Sequence, residues 1–161
     1  MARLILLRHG KSDWDASFSS DRQRPLAPRG RRAAASVGST LTAQSLAPDL
    51  VLTSPAVRAA TTAELAAEAG GWTCPVRVVE ELYGSGVVTV LNVVSQTPLS
   101  VQTLMLVGHE PTWSGTVQTL TGAHVAVKTG TAVTIDLLGN WSRVADGGEV
   151  WSVLQPRSLD D

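Results

Sequence analysis

The sequence predicts an α/β fold: a three-layer sandwich in which helices cover both faces of a mostly parallel central sheet. Short, continuously apolar runs are typical of buried parallel strands. Segments with helical spacing alternate with these runs over the first two thirds of the chain, as they do in βαβ units. Near the end the apolar runs follow one another with little helical sequence between them. This last feature predicts an antiparallel addition at one side of the sheet.

The first strand, loop and helix can be read from residues 4–44. The apolar run 4–7 predicts the first strand. The polar, irregular segment 10–28 predicts a long loop, and loops of that length in small domains are usually functional or disordered. The Ala-rich segment 29–44 carries apolar residues at helical spacing and predicts the first helix.

The second strand, 49–53, is followed by a helix start signal. We expect Ser54 to cap this helix and Pro55 to be its first residue. A serine oxygen accepts a free N–H at a helix start, and proline has no N–H to leave unpaired there. The helix should extend to about residue 69, before a Gly-Gly pair that ends it. Residues 76–79 predict the third strand.

The second half of the chain begins with a Val-rich segment, 87–94, whose apolar residues recur at helical spacing. It predicts a helix despite its β-branched side chains. Residues 103–107 predict a buried fourth strand, and Pro111 is expected to open a helix that reaches about residue 120. The predicted antiparallel addition consists of strands 132–138 and 150–154, joined through the Gly139-Asn140 turn and a weaker strand at 141–145.

Length and composition exclude several classes of protein. The chain has 161 residues, of which 43% are hydrophobic and 17% charged, so we expect one compact domain over residues 1–161. Disordered chains are less hydrophobic, and the single cysteine, Cys74, cannot form an intrachain disulfide. The early apolar run 4–7 is too short for a signal-peptide core or a membrane span. We therefore expect a cytoplasmic protein without a membrane partner.

The charge of the chain is unevenly distributed. Residues 1–60 hold nine Lys and Arg against four Asp, although the whole chain has a net charge of -1. A nucleic-acid-binding domain would more often be basic overall, with aromatic residues among its cations. The local excess instead favours a small phosphorylated or acidic ligand and no nucleic acid.

Three polar motifs follow predicted parallel strands. Arg8 and His9 follow the first strand, Arg58 lies shortly after the second, and His109 follows the fourth. The carboxyl ends of parallel strands form one rim of an open α/β sheet, where ligands bind. Arg58 also falls in the first turn of a helix, where the macrodipole disfavours a cation unless an anion is bound. We therefore expect these four side chains to share one pocket.

Two arginines, two histidines and no cysteine suit phosphoryl transfer to nitrogen. The guanidinium groups of Arg8 and Arg58 can hold phosphoryl oxygens bidentately. His9 would be the nucleophile, because neighbouring cations lower the pKa of an imidazole and keep its lone pair available. His109 would donate hydrogen bonds to the same phosphoryl group. No cofactor is expected, and no metal, because the chain has neither an HExxH motif nor paired Cys/His spacing.

These motifs resemble the histidine phosphatase superfamily, also called the phosphoglycerate mutase-like or RHG-motif family. The matching segments occur in family order at residues 6–10, 54–62 and 107–111. The resemblance is strongest to a small branch of this family, the SixA-like phosphohistidine phosphatases, and lies in residues 6–15, 21–32 and 128–132. The resemblance covers essentially the whole chain. It implies the phosphoglycerate mutase-like fold, a phosphohistidine intermediate, and Arg8, His9, Arg58 and His109 as the catalytic residues.

The general acid is left open by the resemblance. Many members of the family place a glutamate after the third strand, where this chain has Glu80 and Glu81. The Glu-Leu-Tyr string favours Glu81, and the spacing to Gly84 favours Glu80. Other SixA-like members are thought to need neither, since the leaving imidazole of a phosphohistidine can already carry a proton. Lys11 and Ser12 are further candidates for contact with the phosphate.

The function predicted from the sequence is therefore hydrolysis of a phosphorylated protein, with phosphohistidine as the substrate group, or of a small phosphorylated molecule. One alternative is a phosphoglycerate mutase-like enzyme or a broad small-molecule phosphomonoesterase. The chain is short for a mutase, which needs insertions over the site to exclude water. A second alternative is a binding module that recognises a phosphorylated ligand without turning it over. The sequence does not predict an oligomeric state.

Overall fold

The computed structural model describes residues 2–156, so residue 1 and residues 157–161 of the predicted domain lie outside the described part. Within it, six strands form a single sheet with the order β3-β2-β4-β1-β5-β6. The strands are β1 (Arg3–Arg8), β2 (Leu50–Thr53), β3 (Val76–Val78), β4 (Thr103–Gly108), β5 (Ala132–Leu137) and β6 (Gly148–Leu154).

The first four strands are parallel and the last two are antiparallel. β1 pairs with β4, β4 with β2 and β2 with β3 in parallel, whereas β5 runs antiparallel to both β1 and β6. The register places Arg8 opposite Gly108, and Thr53 opposite Val107. Three of the parallel strands therefore end side by side, and the residues that follow them emerge at one edge of the sheet.

In the described part of the chain, four helices cover the two faces of this sheet: α1 (Pro28–Ala43), α2 (Val57–Gly70), α3 (Val87–Ser95) and α4 (Thr112–Thr121). Alternate side chains of a strand point to opposite faces, and β1 shows this directly. Ile5 and Leu7 pack in one apolar cluster with residues of α1 and α2. Leu4 and Leu6 pack in the other with residues of α3 and α4. The predicted three-layer α/β sandwich with an antiparallel addition is confirmed.

The strand predicted at 141–145 is wrong. Residues Trp141–Asp146 form a 3-10 helix between β5 and β6. Trp141 and Val144, three residues apart, lie on the same side of this helix and are both buried. The indole N–H of Trp141 donates to the Val101 carbonyl oxygen at 2.8 Å. In a strand these two side chains would have pointed to opposite faces.

The predicted start of α2 is also wrong in detail. The helix begins at Val57, two residues after Pro55, and Ser54 is not its cap. The Ser54 hydroxyl instead accepts the Ala56 N–H at 3.2 Å and contacts His109. Arg58 nevertheless lies in the first turn of the helix, as the sequence indicated.

The predicted loop 10–28 is folded rather than extended. Ser12 and Leu26 form an isolated antiparallel bridge, and Asp21–Gln23 form a short 3-10 helix. Backbone hydrogen bonds from Asp13 to Pro25 and from Ala27 to Lys11 close the base of the segment. The segment therefore presents its side chains at a defined place beside the strand ends.

No helix within residues 2–156 has both the length and the apolar character that a membrane span requires.

Candidate active site

A cleft of about 650 Å³ opens at the carboxyl edge of the parallel strands. It is lined by the four predicted catalytic residues, Arg8, His9, Arg58 and His109, and by the two candidate phosphate contacts, Lys11 and Ser12. Residues from the folded 10–28 segment and from the segment after β3 complete its wall. The remaining lining residues are Trp14, Asp21, Arg24, Tyr83, Gly84, Glu110 and Thr129.

His9 is buried on the floor of this cleft, with 6% of its surface exposed. Its Nδ1 lies 2.7 Å from the Gly10 carbonyl oxygen. Because a carbonyl can only accept, Nδ1 carries the ring proton and Nε2 keeps its lone pair. Burial is the largest of the causes that bring the pKa of His9 down to about 3. The Gly10 hydrogen bond raises this pKa, and the nearby His109, Arg58 and Arg8 lower it. The ring is therefore neutral at physiological pH and can act as a nucleophile.

The backbone around His9 is held by α2 and α1. The Gly10 N–H donates to the Thr62 hydroxyl at 3.0 Å, and that hydroxyl donates to the Arg58 carbonyl at 2.7 Å. On the other side, Gly30 of α1 lies so close to the loop that a Cβ there would sit 2.2 Å from the Lys11 carbonyl oxygen. These contacts fix the loop that carries the nucleophile against both helices of one layer.

Arg8 and Arg58 each have an unsatisfied donor. The Nε atoms of both are buried without a hydrogen-bond partner in the described part of the chain. Arg8 donates one Nη1 hydrogen bond to the Val127 carbonyl at 3.1 Å. Arg58 uses Nη1 and Nη2 to bind the carbonyl and carboxylate oxygens of Asp21 at 2.7 and 2.9 Å. Buried guanidinium donors without partners are costly, and an oxyanion is the ligand that satisfies them.

Asp21 organises the cations around the cleft, and the sequence analysis missed it. Its carboxylate accepts hydrogen bonds from Arg24, Arg58 and the Tyr83 hydroxyl. Partial burial raises its pKa, but these three donors outweigh that effect and lower it to about 2. One signal could have found it, because Asp21 is the only acidic residue between positions 16 and 48.

His109 lies just before α4 and faces His9, with 5.3 Å between the ring centroids. Its Nε2 is 2.8 Å from the Ser54 hydroxyl oxygen, and the Tyr83 ring packs edge-on against it at 5.7 Å. Burial is the main cause that lowers the pKa of His109 to about 4, and Arg58 adds to it. His109 is therefore a second neutral imidazole in the cleft.

The two candidate acids are not brought to the cleft. Glu80 accepts two hydrogen bonds from Arg22, at 2.7 and 2.9 Å, on the exposed surface. Glu81 lines a separate cavity of about 310 Å³ that it shares with Arg77. Within residues 2–156, the carboxylates that line the cleft are those of Asp21 and Glu110. Neither position proposed for the general acid on sequence grounds thus faces the two histidines.

The two candidate phosphate contacts, Lys11 and Ser12, both line the cleft but differ in environment. Ser12 is buried, and its hydroxyl accepts the Arg24 Nε–H at 2.9 Å. Lys11 is exposed, so its ammonium group is free to approach an anion from the solvent side. In the described part of the chain, no group of three or more His, Cys, Asp or Glu side chains could hold a metal ion.

Comparison with known proteins agrees with this geometry. The family model of the histidine phosphatase superfamily (branch 1) matches residues 4–84. A protein of uncharacterized function from Mycobacterium tuberculosis is 36% identical over 153 residues, which cover 88% of this chain and 93% of the relative. The site and the fold define a phosphoryl-transfer enzyme. The chain belongs to the histidine phosphatase superfamily, and it is a phosphatase that hydrolyses a phosphorylated substrate.

Solved structures narrow the resemblance within that family. A protein from Nakamurella multipartitia, assigned as a phosphohistidine phosphatase SixA, superposes with a TM-score of 0.85 at 32% identity and covers 96% of each chain. A protein histidine phosphatase SixA in complex with tungstate superposes with a TM-score of 0.83 at 23% identity, over 96% of this chain and 97% of that one. The second match shows the fold alone. Both confirm the predicted phosphoglycerate mutase-like architecture. The likeness to the SixA branch rests on the match at 32% identity.

The neutral state of His9 predicts a pH-dependent stability. Its pKa is about 3 in the native protein against 6.5 for a free histidine, so the unfolded chain binds more protons between these values. The free energy of unfolding should fall as the pH drops below about 6.5. We expect His9→Gln, which cannot take up this proton, to lose less stability than the wild type between pH 7 and pH 4.5 in urea denaturation.

The matched control for this measurement is His124→Gln, because His124 is exposed and does not line the cleft. It should follow the wild type at both pH values. If His9→Gln showed the same pH dependence as the wild type, His9 would not be held neutral by burial.

Proposed function

We propose that this phosphatase is a phosphohistidine phosphatase of the SixA type, acting on a phosphorylated protein through a covalent phosphohistidine at His9. The observation that carries the proposal is the pairing of a neutral His9, with a free Nε2 lone pair, and two buried guanidinium groups with unsatisfied donors. A nucleophile without cations would have no means of holding phosphate. Cations without a nucleophile would only bind it.

In the first step, the His9 Nε2 lone pair attacks phosphorus while the bond from phosphorus to the leaving nitrogen breaks. Arg8 and Arg58 hold the phosphoryl oxygens and stabilise the charge spread over them in the transition state. In the second step, water attacks the phosphorus of phospho-His9. The N–P bond breaks, and its electron pair returns to Nε2, which restores neutral His9. Both protons of the water leave with the phosphate as H2PO4−.

We assign to His109 the donation of a hydrogen bond to a phosphoryl oxygen. The Ser54 hydroxyl accepts the Ala56 N–H and lies 2.8 Å from the His109 Nε2. We propose that it donates its own proton to this Nε2. With Nε2 accepting from Ser54, the single proton of the neutral His109 ring resides on Nδ1. That N–H is the donor that His109 offers to the substrate.

The placement of the carboxylates supports a phosphohistidine over an oxygen ester. An alkoxide leaving group requires a proton from an acid, whereas the leaving imidazole of a phosphohistidine can already carry one. Glu80 and Glu81 lie outside the cleft lining. Asp21 is ionised, with a pKa of about 2, and Glu110 accepts the Ser114 N–H at 2.6 Å. We therefore propose that neither Glu80 nor Glu81 is a general acid.

We also propose that Lys11 and Ser12 assist in binding phosphate, because both line the cleft.

The test is rapid-quench trapping of the phosphoenzyme. Wild type, His9→Asn and His124→Asn are mixed separately with a ³²P-phosphohistidine protein, an aryl phosphate and phosphoglycerate, and quenched in base and in acid. We expect a base-stable, acid-labile label in the wild type and in His124→Asn but not in His9→Asn, formed fastest from the phosphohistidine protein.

Each other outcome selects a different function. Faster labelling by the aryl phosphate would indicate a small-molecule phosphomonoesterase, and interconversion of phosphoglycerates would indicate a mutase. Phosphate binding without label or turnover from any donor would overturn the enzyme mechanism in favour of a binding module. Loss of labelling in Glu81→Gln or Glu80→Gln would restore a glutamate as general acid.

A further inference from the structure

An exposed tryptophan stands in the wall of the phosphate cleft. Trp14 has 68% of its surface exposed and lines the same cleft as the two histidines. A single exposed apolar side chain needs no explanation by itself, but Trp14 stands in the wall of a cleft that the substrate must enter. The mechanism derived above makes no use of Trp14. Its position at a substrate cleft therefore calls for a role.

The ring is held in place despite its exposure. The Arg24 guanidinium lies 3.7 Å from the ring centroid, and Phe18 packs edge-on at 6.4 Å with an interplanar angle of 72°. Arg24 is itself buried and fixed by the Ser12 hydroxyl and the Asp21 carboxylate. A rigid side chain loses little conformational entropy when a ligand contacts it. Trp14 is thus preorganised on one side and open to solvent on the rest of its surface.

The cleft is chemically divided between its floor and its wall. The floor holds the cations and neutral imidazoles, which suit the phosphoryl group itself. Two aromatic rings, Trp14 and Tyr83, stand in the wall. The Tyr83 ring is engaged by His109 and Arg22, and its hydroxyl by Asp21. Trp14 is the ring that keeps most of its surface available to whatever group carries the phosphoryl.

We propose that Trp14 is a specificity-determining residue that contacts the group bonded to the phosphoryl, and that it selects substrates in which this group is a flat unsaturated ring. Aromatic rings stack on one another beyond their apolar area, and a short aliphatic chain offers no such face. The imidazole of a phosphohistidine and the ring of an aryl phosphate both fit this class. The inference rests on the proposed function for the orientation of the substrate in the cleft.

The experiment measures binding of two phosphonates that cannot be hydrolysed, phenylphosphonate and methylphosphonate, by isothermal titration calorimetry. Wild type, Trp14→Ala, Trp14→Phe and Trp151→Ala are compared. Trp151 is the matched control, because it is 59% exposed and packed on Arg3 at 5.1 Å, but lies on β6 away from the cleft lining. Methylphosphonate carries the same anionic group without a ring and reports on the phosphate site alone.

We expect Trp14→Ala to weaken phenylphosphonate binding about fivefold and methylphosphonate binding less than about twofold. Trp14→Phe should recover most of the loss, and Trp151→Ala should change neither ligand. Equal effects of Trp14→Ala on the two phosphonates, or none on either, would overturn the proposal. Because the experiment measures binding and not turnover, it tests the role of Trp14 separately from the proposed phosphatase activity. Trp14-dependent binding without any phosphoenzyme would leave this inference standing and remove the proposed catalytic function.

Discussion

Replacement of Arg58 by alanine should reduce kcat/KM by about a thousandfold or more with a phosphohistidine protein or an aryl phosphate. Arg58 is buried, lines the cleft with His9, and has an Nε–H without a partner in the described residues. Removal of one preorganised donor from a charge-stabilising site costs about 10²–10³ in rate, and removal of an arginine that stabilises a phosphoryl transition state costs ~10³–10⁵.

Two further variants sharpen this measurement. Arg58→Lys keeps the charge but not the planar fork that holds both Asp21 and an oxyanion, so it should recover little of the lost activity. Arg22→Ala removes a neighbouring cation that pairs with Glu80 and does not line the cleft. Its kcat/KM should stay within about threefold of the wild type. Full activity in Arg58→Ala would contradict the assignment of Arg58 to the phosphoryl group.

Gly38→Ala should lower the free energy of unfolding by about 3 kcal/mol, the upper end of the usual cost of overpacking. A Cβ at Gly38 of α1 would lie 2.1 Å from the carbonyl oxygen of Ala66 in α2 and 2.6 Å from its Cα. Both obstacles are backbone atoms, so no side-chain rotation relieves the contact and the two helices must separate. This exceeds the gain of about 1 kcal/mol that alanine has over glycine inside a helix.

The measurement is urea denaturation together with the thermal midpoint, which should fall by roughly 6–12 °C for a chain of this size. Gly86→Ala is the matched control, because a Cβ at Gly86 meets no atom within 4 Å and its φ of -99° is open to any residue. It should change stability by less than about 1 kcal/mol. Equal stability of Gly38→Ala and the wild type would mean that α1 and α2 do not pack at this distance.

The elements that the sequence predicted well are those in which local pattern and tertiary environment agree. β1 and β4 are buried on both faces and show as unbroken apolar runs in the sequence. α3 formed despite its β-branched residues, since Val90 and Val94 lie on one face and are buried against the sheet. In contrast, the segment 141–145 has no decisive period. Burial of Trp141 and Val144 on the same side decided its structure.

The candidate site likewise includes residues whose position the sequence predicts and residues whose position it does not. Arg8, His9 and His109 could be placed in one cleft from sequence, because residues that follow adjacent parallel strands must emerge at a common edge. Arg58 needed only the additional expectation of a helix start after β2. The position of Glu80 and Glu81 could not be obtained this way. Both follow the edge strand β3, and whether their side chains face the cleft depends on the turn after it and on the pairing of Glu80 with Arg22.

The sequence by itself thus determined the α/β class, the order of most elements and the four side chains on the cleft floor, because periodicity and strand-end position are local properties of the chain. Only the tertiary structure decided which tautomer His9 adopts, which acidic residue binds Arg58 and where Trp14 stands. Each of these depends on contacts between residues far apart in sequence. Asp21 meets Arg58 and Tyr83 across 37 and 62 positions, respectively, and no local pattern encodes a contact of that kind.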